Sequence, residues 1–576
     1  MKIEYDGIEY DHRFVGTIGI NEGSVYKVFT DQKLPFRVIV PHNKLNGAQP
    51  GDRVKMRAWK WTQKKRNLRV EVVQVFGAKG DEKAEQQAIL GKYGIRSRWP
   101  SKVTQEVEAI PETISDEDIK NRFNFREKLT ITIDPDTAKD FDDAISLTKL
   151  NDREWELGVH IADVTHYLKK NGAMDKEAYR RGNSTYLVGR TVPMLPEKLS
   201  NGVCSLRPNE DKLTFSVMFH INNKGKISHQ FIQKGIINSN RRFTYVEAQK
   251  HITGESQDEY TPVIQTLNTI AQALRSDRMK KGGIMFESTI RNIILNDAFE
   301  PIDIVTEEAH EAHNLIEEFM LLANRTVGKF IRAQRRPTVN RIHEKPGKEK
   351  LEDLKKFVKF FGYNINIQGD RSIRDSINKL LKDTEGKPEA NAVQHYTIRT
   401  MAKAKYSPEH LGHYGLGFDD YTHFTSPIRR YSDVIVHRVL NSILRGQKSP
   451  SEAKMDGMAK HVSATEIASV QAERESRKLK EAQFMKQFVG KPFEALVMSI
   501  ENFGVYVELV ENGCRGLMHR NSLYQYGIKL DAHKHQIKKG KKKFTLGDRI
   551  WVEVSEVDLD MKYINFDWFE ESWLED

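Results

Sequence analysis

The sequence predicts a multidomain chain: a large mixed α/β (α+β) domain flanked by two small all-β barrels of the oligonucleotide-binding type. Three observations carry this. At 576 residues the chain exceeds what one hydrophobic core organises, so roughly three to five compact units are expected. Short alternating strands with turn punctuation occupy both ends, as small closed barrels require. Between them, β-rich runs alternate with long amphipathic helices.

The first barrel is expected within residues 1–80, from RFVGTIGI, SVYKVFT, FRVIVP, DRVKMRAWKW and NLRVEVVQVFG. Its last hairpin mixes Trp59 and Trp61 with Lys60, Lys64, Lys65 and Arg66, joining stacking faces to phosphate-seeking charge. Alone, this segment fits equally a solvated basic hairpin with one tryptophan in the core. Residues 81–125 are charged, carry helix patterns and are broken by Pro100 and Pro111, so they read as a connector. The α/β domain is expected over residues 126–488. It holds the strands KLTITI, ELGVHIADV and TFSVMFHI, and the helices EAHNLIEEFMLLANRTVGKFI and SATEIASVQAERESRKLKEAQFMKQF. A second barrel over 489–576 follows from PFEALVMSI, GVYVELV, GCRGLMH and RIWVEVSEV, with the basic run His533 to Lys543 expected in an inter-strand loop.

Composition narrows the function classes. A formal charge of +11 favours polyanionic partners and salt-sensitive binding, which suits nucleic acid or an acidic membrane. Mean hydropathy of -0.61 and the lack of a long apolar run argue against a membrane span. The start MKIEYDGIEYDHR lacks the apolar stretch of a signal peptide, so a soluble cytoplasmic protein is expected. Two distant cysteines, Cys204 and Cys514, indicate neither a disulfide framework nor a zinc site.

The chemistry concentrates in TITIDPDTAKDFDDAIS, residues 130–146, where a strand is followed by Asp134, Asp136, Asp140, Asp142 and Asp143. Crowded carboxylates resist ionisation unless a cation neutralises them. Hard oxygen donors suit Mg²⁺, which bridges protein carboxylates to substrate phosphate. Phosphodiester hydrolysis with two such ions uses this donor type. The bland reading is an acidic surface loop that caps a helix. The glycine and distal glutamate of a Ca²⁺-binding EF-hand loop are missing.

TIDPDTAKDFDDAIS resembles the catalytic signature of the ribonuclease II/ribonuclease R (RNB) family. The resemblance continues in order through HIADVTHY (160–167), RGNSTYL (181–187), VPMLPEKLSNGVCSL (192–206), GGIMFES (282–288), EEFMLLAN (317–324), RIHEKP (341–346) and FTSPIRRYSDVIVHR (424–438). It covers nearly the whole chain and leans towards ribonuclease R. The flanking barrels resemble a cold-shock domain in front and an S1 RNA-binding domain behind. The family usually carries two cold-shock barrels; the single one here resembles the second. The lysine-rich tail of many ribonuclease R proteins has no counterpart in the closing FDWFEESWLED.

The resemblance implies residue roles. Asp134, Asp140, Asp142 and Asp143 match the family's four essential aspartates, which hold Mg²⁺ at the scissile phosphate; Asp136 lies outside that set. Asp142 matches the member whose loss stops cleavage and spares RNA binding. Arg429 matches the arginine that stabilises charge on that phosphate, a role suited to a permanently ionised fork. Arg430 matches an RNA-binding position, or else pairs with a structural acid. Tyr186 and Phe286 match the two rings that clamp the 3′-terminal base, and Glu318 a contact to the terminal ribose. Tyr421, His423 and Phe424 are expected on the same wall, with core packing an equal reading for Phe424. In the second barrel, Phe503, Tyr506 and His519 resemble an S1 stacking surface, supported by Lys534, Lys538, Lys539, Lys541, Lys542 and Lys543.

The expected activity is a processive, hydrolytic, Mg²⁺-dependent 3′-to-5′ exoribonuclease releasing nucleoside 5′-monophosphates. The expected partner is single-stranded RNA with a free 3′ end, with structured RNA bearing a 3′ overhang as a further candidate; a monomer and no membrane contact are expected. Two rivals compete: a non-catalytic RNA-binding regulator with the same channel, and an endonuclease or DNA-directed nuclease with the same metal chemistry.

Overall fold

The computed structural model describes residues 3–5, 8–62, 66–286, 289–308, 310–532 and 535–574. Lys64, Lys65 and Lys534, expected to meet phosphate, lie outside the described residues.

Strands Arg13–Asn21, Val25–Thr30, Arg37–Pro41, Asp52–Thr62 and Asn67–Ala78 close into the first barrel. Alternation turns Val54, Met56, Leu68 and Val70 inward, and each such side chain contributes about 1.5–3 kcal/mol. The two tryptophans separate. Trp59 is exposed, whereas Trp61 packs against the barrel core, with its ring 4.9 Å from that of Phe36. Strict alternation would have turned both outward, but the register shifts between Ala58 and Lys60, pairing Trp61 with the inward Leu68. That irregularity removes Trp61 from the expected stacking surface and leaves Trp59 on it.

The central domain is built on a seven-stranded sheet. Its order is Arg241–Thr244, Thr130–Asp134, Asp143–Asn151, Glu154–Ala162, Asp211–Ile221, Ile227–Asn238 and Phe123–Asn124. Pairing is antiparallel except at the two edges. Helices Glu311–Ala333 and Tyr431–Leu444 share its core through Leu315, Phe319, Val434 and Leu440. Both cysteines are buried free thiols.

The long helix Glu452–Met485 ties the units together with buried charge. Its Glu475 takes Lys92 from the connector and Lys562 from the second barrel, while Lys480 reaches Glu82. That second barrel closes from Pro492–Glu501, Gly504–Leu509, Arg515–His519, Arg549–Asp558 and Tyr563–Phe569. The basic run is not a plain loop: Ile528–Asp531, Gln536–Lys539 and Lys542–Thr545 form a three-stranded antiparallel sheet. Buried Ile537 and half-buried Phe544 give this lysine-rich segment the apolar face that a strand needs.

Candidate active site

The carboxylates meet because adjacent antiparallel strands bring them to one end of the sheet. Asp134 ends one strand, Asp143 begins the next, and Ile131 pairs with Ile145. The intervening loop is braced from outside: Arg242 donates to the carbonyls of Pro135 at 2.6 Å and Asp136 at 2.9 Å. The Phe141 amide donates to Ser205 Oγ at 3.0 Å.

A second segment, 421–430, closes over this loop. The Ile428 amide donates to Asp142 Oδ1 at 2.8 Å, and Arg429 Nε lies 3.7 Å from Asp142 Oδ2. Asn324 fixes the segment by accepting from the Phe424 amide at 2.7 Å. The strand carrying Tyr186 is stapled to the same segment, since the Ser184 amide donates to the Arg429 carbonyl and the Tyr431 amide to that of Gly182. Gly182 has φ of 69°, and a Cβ there would fall 2.0 Å from Thr465 Oγ1, so this junction requires glycine.

Together these parts enclose a cavity of about 1090 Å³. Asp134, Asp140, Asp142, Asp143, Tyr186, Arg429 and Arg430 line it, joined by Glu317, Arg341, Tyr245, Tyr421 and His423. The electrostatics are strained. Burial, reinforced by Asp143, holds the Asp134 carboxyl well above its usual range. Burial does the same to Asp142 against the pull of Arg429, and pushes Asp143 up to about 6. Asp140 is raised by burial, opposed by Arg429 and Tyr186. Oδ2 of Asp134 and Oδ2 of Asp142 are buried without a hydrogen-bond partner. Such orphaned acceptors cost about 1–3 kcal/mol each unless something occupies them.

At Glu318 and Phe286 the site differs from expectation, and at Arg430 and Phe424 it selects one of two readings. Glu318 does not face the cavity: it is buried, and its carboxylate accepts from Arg278 Nε at 3.1 Å and from Arg278 Nη2. Its neighbour Glu317 lines the cavity instead, with its carboxyl raised by burial. The helix phase turns Glu318 towards Arg278; spacing to Met320, Leu321 and Asn324, which line the cavity from the same helix, would have revealed Glu317. Phe286 is half-buried against the cluster of Ile284, Ile377 and Tyr414 and is not among the residues that line the cavity. The Ile284 amide donates to the Gly415 carbonyl at 2.8 Å and docks the segment there. Arg430 spends its fork on Asp433, at 2.9 and 2.7 Å, and so acts as the partner of a structural acid. Phe424 lies wholly in the core. Tyr245 and the bracing Arg242 carried no sequence signal, because each comes from a distant segment, and Arg341 stands in the motif RIHEKP with no role implied for it.

On the second barrel, Phe503 is 52% and Tyr506 41% exposed, with ring centroids 6.1 Å apart. His519 is exposed opposite Gly504, two residues from Tyr506, which puts it on the same face.

The donor chemistry fits Mg²⁺, as two orphaned oxygens and raised carboxyls both call for a cation. Among the described residues no three acidic, histidine or cysteine side chains converge as a preformed cage. Mg²⁺ rarely needs one, since it retains waters and binds through one or two carboxylates plus substrate phosphate. Asp142, held by Ile428 beside Arg429, has the geometry of a positioning partner more than that of a fourth ligand.

Sequence families agree with this architecture. Residues 26–100 match the cold shock domain, 122–502 the RNB domain and 486–567 the S1 RNA binding domain. The chain belongs to the RNB family of exoribonucleases. Its relatives there include ribonucleases R: that of Aquifex aeolicus is 36% identical over 566 residues, covering 96% of this chain and 80% of that protein. Mycoplasma genitalium RNase R in complex with ribose-methylated single-stranded RNA superposes with a TM-score of 0.89 at 26% identity, covering 97% of this chain and 89% of that one. A yeast pseudonuclease, at 18% identity and a TM-score of 0.74 over 92% of this chain and 67% of that one, shares the fold alone.

Proposed function

We propose that this 3′-to-5′ exoribonuclease hydrolyses single-stranded RNA processively with Mg²⁺, releasing nucleoside 5′-monophosphates. The observation that carries the reading is the cavity joining four carboxylates, Arg429 and the exposed face of Tyr186. Tyr186 offers a stacking face to any base, worth about 1–3 kcal/mol. Glu317 stands where it can accept from a ribose 2′-hydroxyl, which DNA lacks. Arg429 sets a permanent positive charge beside Asp142, where negative charge builds on a scissile phosphate. Asp134, Asp140 and Asp143 supply the oxygens for Mg²⁺. Bound there, Mg²⁺ would supply Lewis-acid chemistry, lowering the pKa of a coordinated water and offsetting charge at the leaving oxygen. Trp59, Phe503, Tyr506 and His519 give RNA outer stacking surfaces before it reaches the cavity.

Structured substrates belong to the same proposal, because Mycoplasma genitalium RNase R has been solved with double-stranded RNA. Among the described residues no helix is long and apolar enough to cross a membrane. A monomer in the cytoplasm fits the reading. A retired site of the pseudonuclease kind would have no reason to keep four costly carboxylates. The test is a digest of 5′-labelled single-stranded RNA with and without EDTA. Progressive shortening with mononucleotide release supports the reading. Metal-independent persistence of substrate supports a binder, and internal fragments or equal attack on DNA support the other rival.

A further inference from the structure

We infer that His423 positions the substrate, its neutral imidazole donating a hydrogen bond from Nε2–H to a backbone oxygen of the RNA in the cavity. The inference rests on the reading that RNA occupies this cavity. His423 lies between Thr422 and Phe424, both fully buried, and its half-buried ring lines the cavity near Arg341 and Arg429. Tyr406, from the strand Lys405–Ser407, places its hydroxyl 2.8 Å from His423 Nδ1.

That contact decides the tautomer. Tyr406 is buried, with the Arg341 guanidinium 4.7 Å over its ring, and among the described residues His423 is the hydrogen-bond partner of its hydroxyl. Burial pushes the phenol up to about 12, so it keeps its proton. A buried O–H without an acceptor costs about 1–3 kcal/mol. The proton therefore goes to Nδ1, which makes Nδ1 the acceptor and leaves the ring hydrogen on Nε2. Tyr406 and Tyr421 meet the imidazole edge-on at 5.5 and 5.6 Å and fix its plane. Nε2 has no protein partner among the described residues, so it is free to donate into the cavity. Burial, with Arg430, Arg341, His413 and Arg429 around it, holds the imidazole well below its ordinary range, so it stays neutral. A neutral, oriented donor of this kind reads any ribonucleotide, because each carries phosphate oxygens and a 2′-hydroxyl oxygen whatever its base.

The experiment compares His423→Phe, which keeps the ring and loses the donor, with His423→Gln, which restores an N–H of similar reach. With single-stranded RNA, His423→Phe should lower kcat/KM about tenfold, chiefly through KM. His423→Gln should recover most of that loss. An unaffected Phe variant, or equal losses in both, overturns the inference. RNA carrying one 2′-deoxy or one methylphosphonate substitution then identifies the acceptor, since the penalty of the Phe variant disappears where its partner is missing. If no substitution in the cavity-bound nucleotides does so, the inference also fails. ¹⁵N spectra of histidine-labelled wild-type protein give a reading independent of any variant: His423 should carry its proton on Nε2, and a proton on Nδ1 refutes the assignment. Tyr406→Phe should release that preference. A wild-type protein inactive on RNA would instead defeat the underlying functional reading.

Discussion

Asp142 stands between a backbone donor and a cation: Oδ1 accepts from the Ile428 amide at 2.8 Å, and Oδ2, which has no hydrogen-bond partner among the described residues, lies 3.7 Å from Arg429 Nε. One short segment thus supplies both a backbone donor and a cation to the most buried of the four carboxylates. Losing Asp142 would disturb the cation's setting more than the route by which RNA arrives.

Asp142→Asn is accordingly expected to lower turnover at least about a hundredfold while leaving RNA affinity unchanged. Single-turnover cleavage beside filter binding measures both. The same variant should melt higher than the wild type without metal, because it removes a buried, incompletely paired charge. Full activity in the variant would refute the assignment.

Metal and pH act on the same carboxyls. Asp143 rises from 3.8 to about 6 on folding. Between those values the unfolded carboxyl has lost its proton and the folded one retains it. Stability from this group is therefore complete below about pH 4 and is lost as pH climbs through 6. Metal-free protein should show that decline in melting temperature, and Asp143→Asn should flatten it. Mg²⁺ at about a hundred times its Kd should stabilise the wild type by about 2.7 kcal/mol, and Asp134→Asn by less.

Adjacent glutamates should behave as opposites. Glu318→Ala leaves Arg278 buried and unpaired, so a loss of about 3–5 kcal/mol is expected in denaturant melts. Glu317→Gln should leave stability intact and narrow the preference for RNA over its 2′-deoxy counterpart. Reversed outcomes would restore Glu318 to the cavity.

Phe503→Ala and Tyr506→Ala remove exposed rings from one face of the second barrel. Each should weaken binding of long single-stranded RNA by about 1–3 kcal/mol with no shift in melting temperature. Oligonucleotides too short to span from cavity to barrel should be insensitive to both changes.

The motifs were legible in the sequence because each is local: the aspartates after the strand Thr130–Asp134 announce their chemistry by spacing, and the segment around Arg429 is recognised by its resemblance to the family motif. Alternation likewise foretold both barrels, whose strands are short enough to record it. Where a single residue decided the outcome, the sequence was less informative. The register shift near Ala58 turned Trp61 inward, and the helix phase chose Glu317 over Glu318 for the cavity. Both depend on which face the rest of the protein covers.

The sequence by itself determined the order of domains, the supply of carboxylates and the surplus of positive charge, since these are properties of composition and local pattern. Only the tertiary structure decided which groups meet: Asp142 with Ile428, Arg430 with Asp433, Tyr406 with His423, and Phe286 with the cluster of Ile284 and Tyr414. Those pairings join segments up to 286 residues apart, and each is fixed by the buried donors and acceptors that packing leaves to be satisfied.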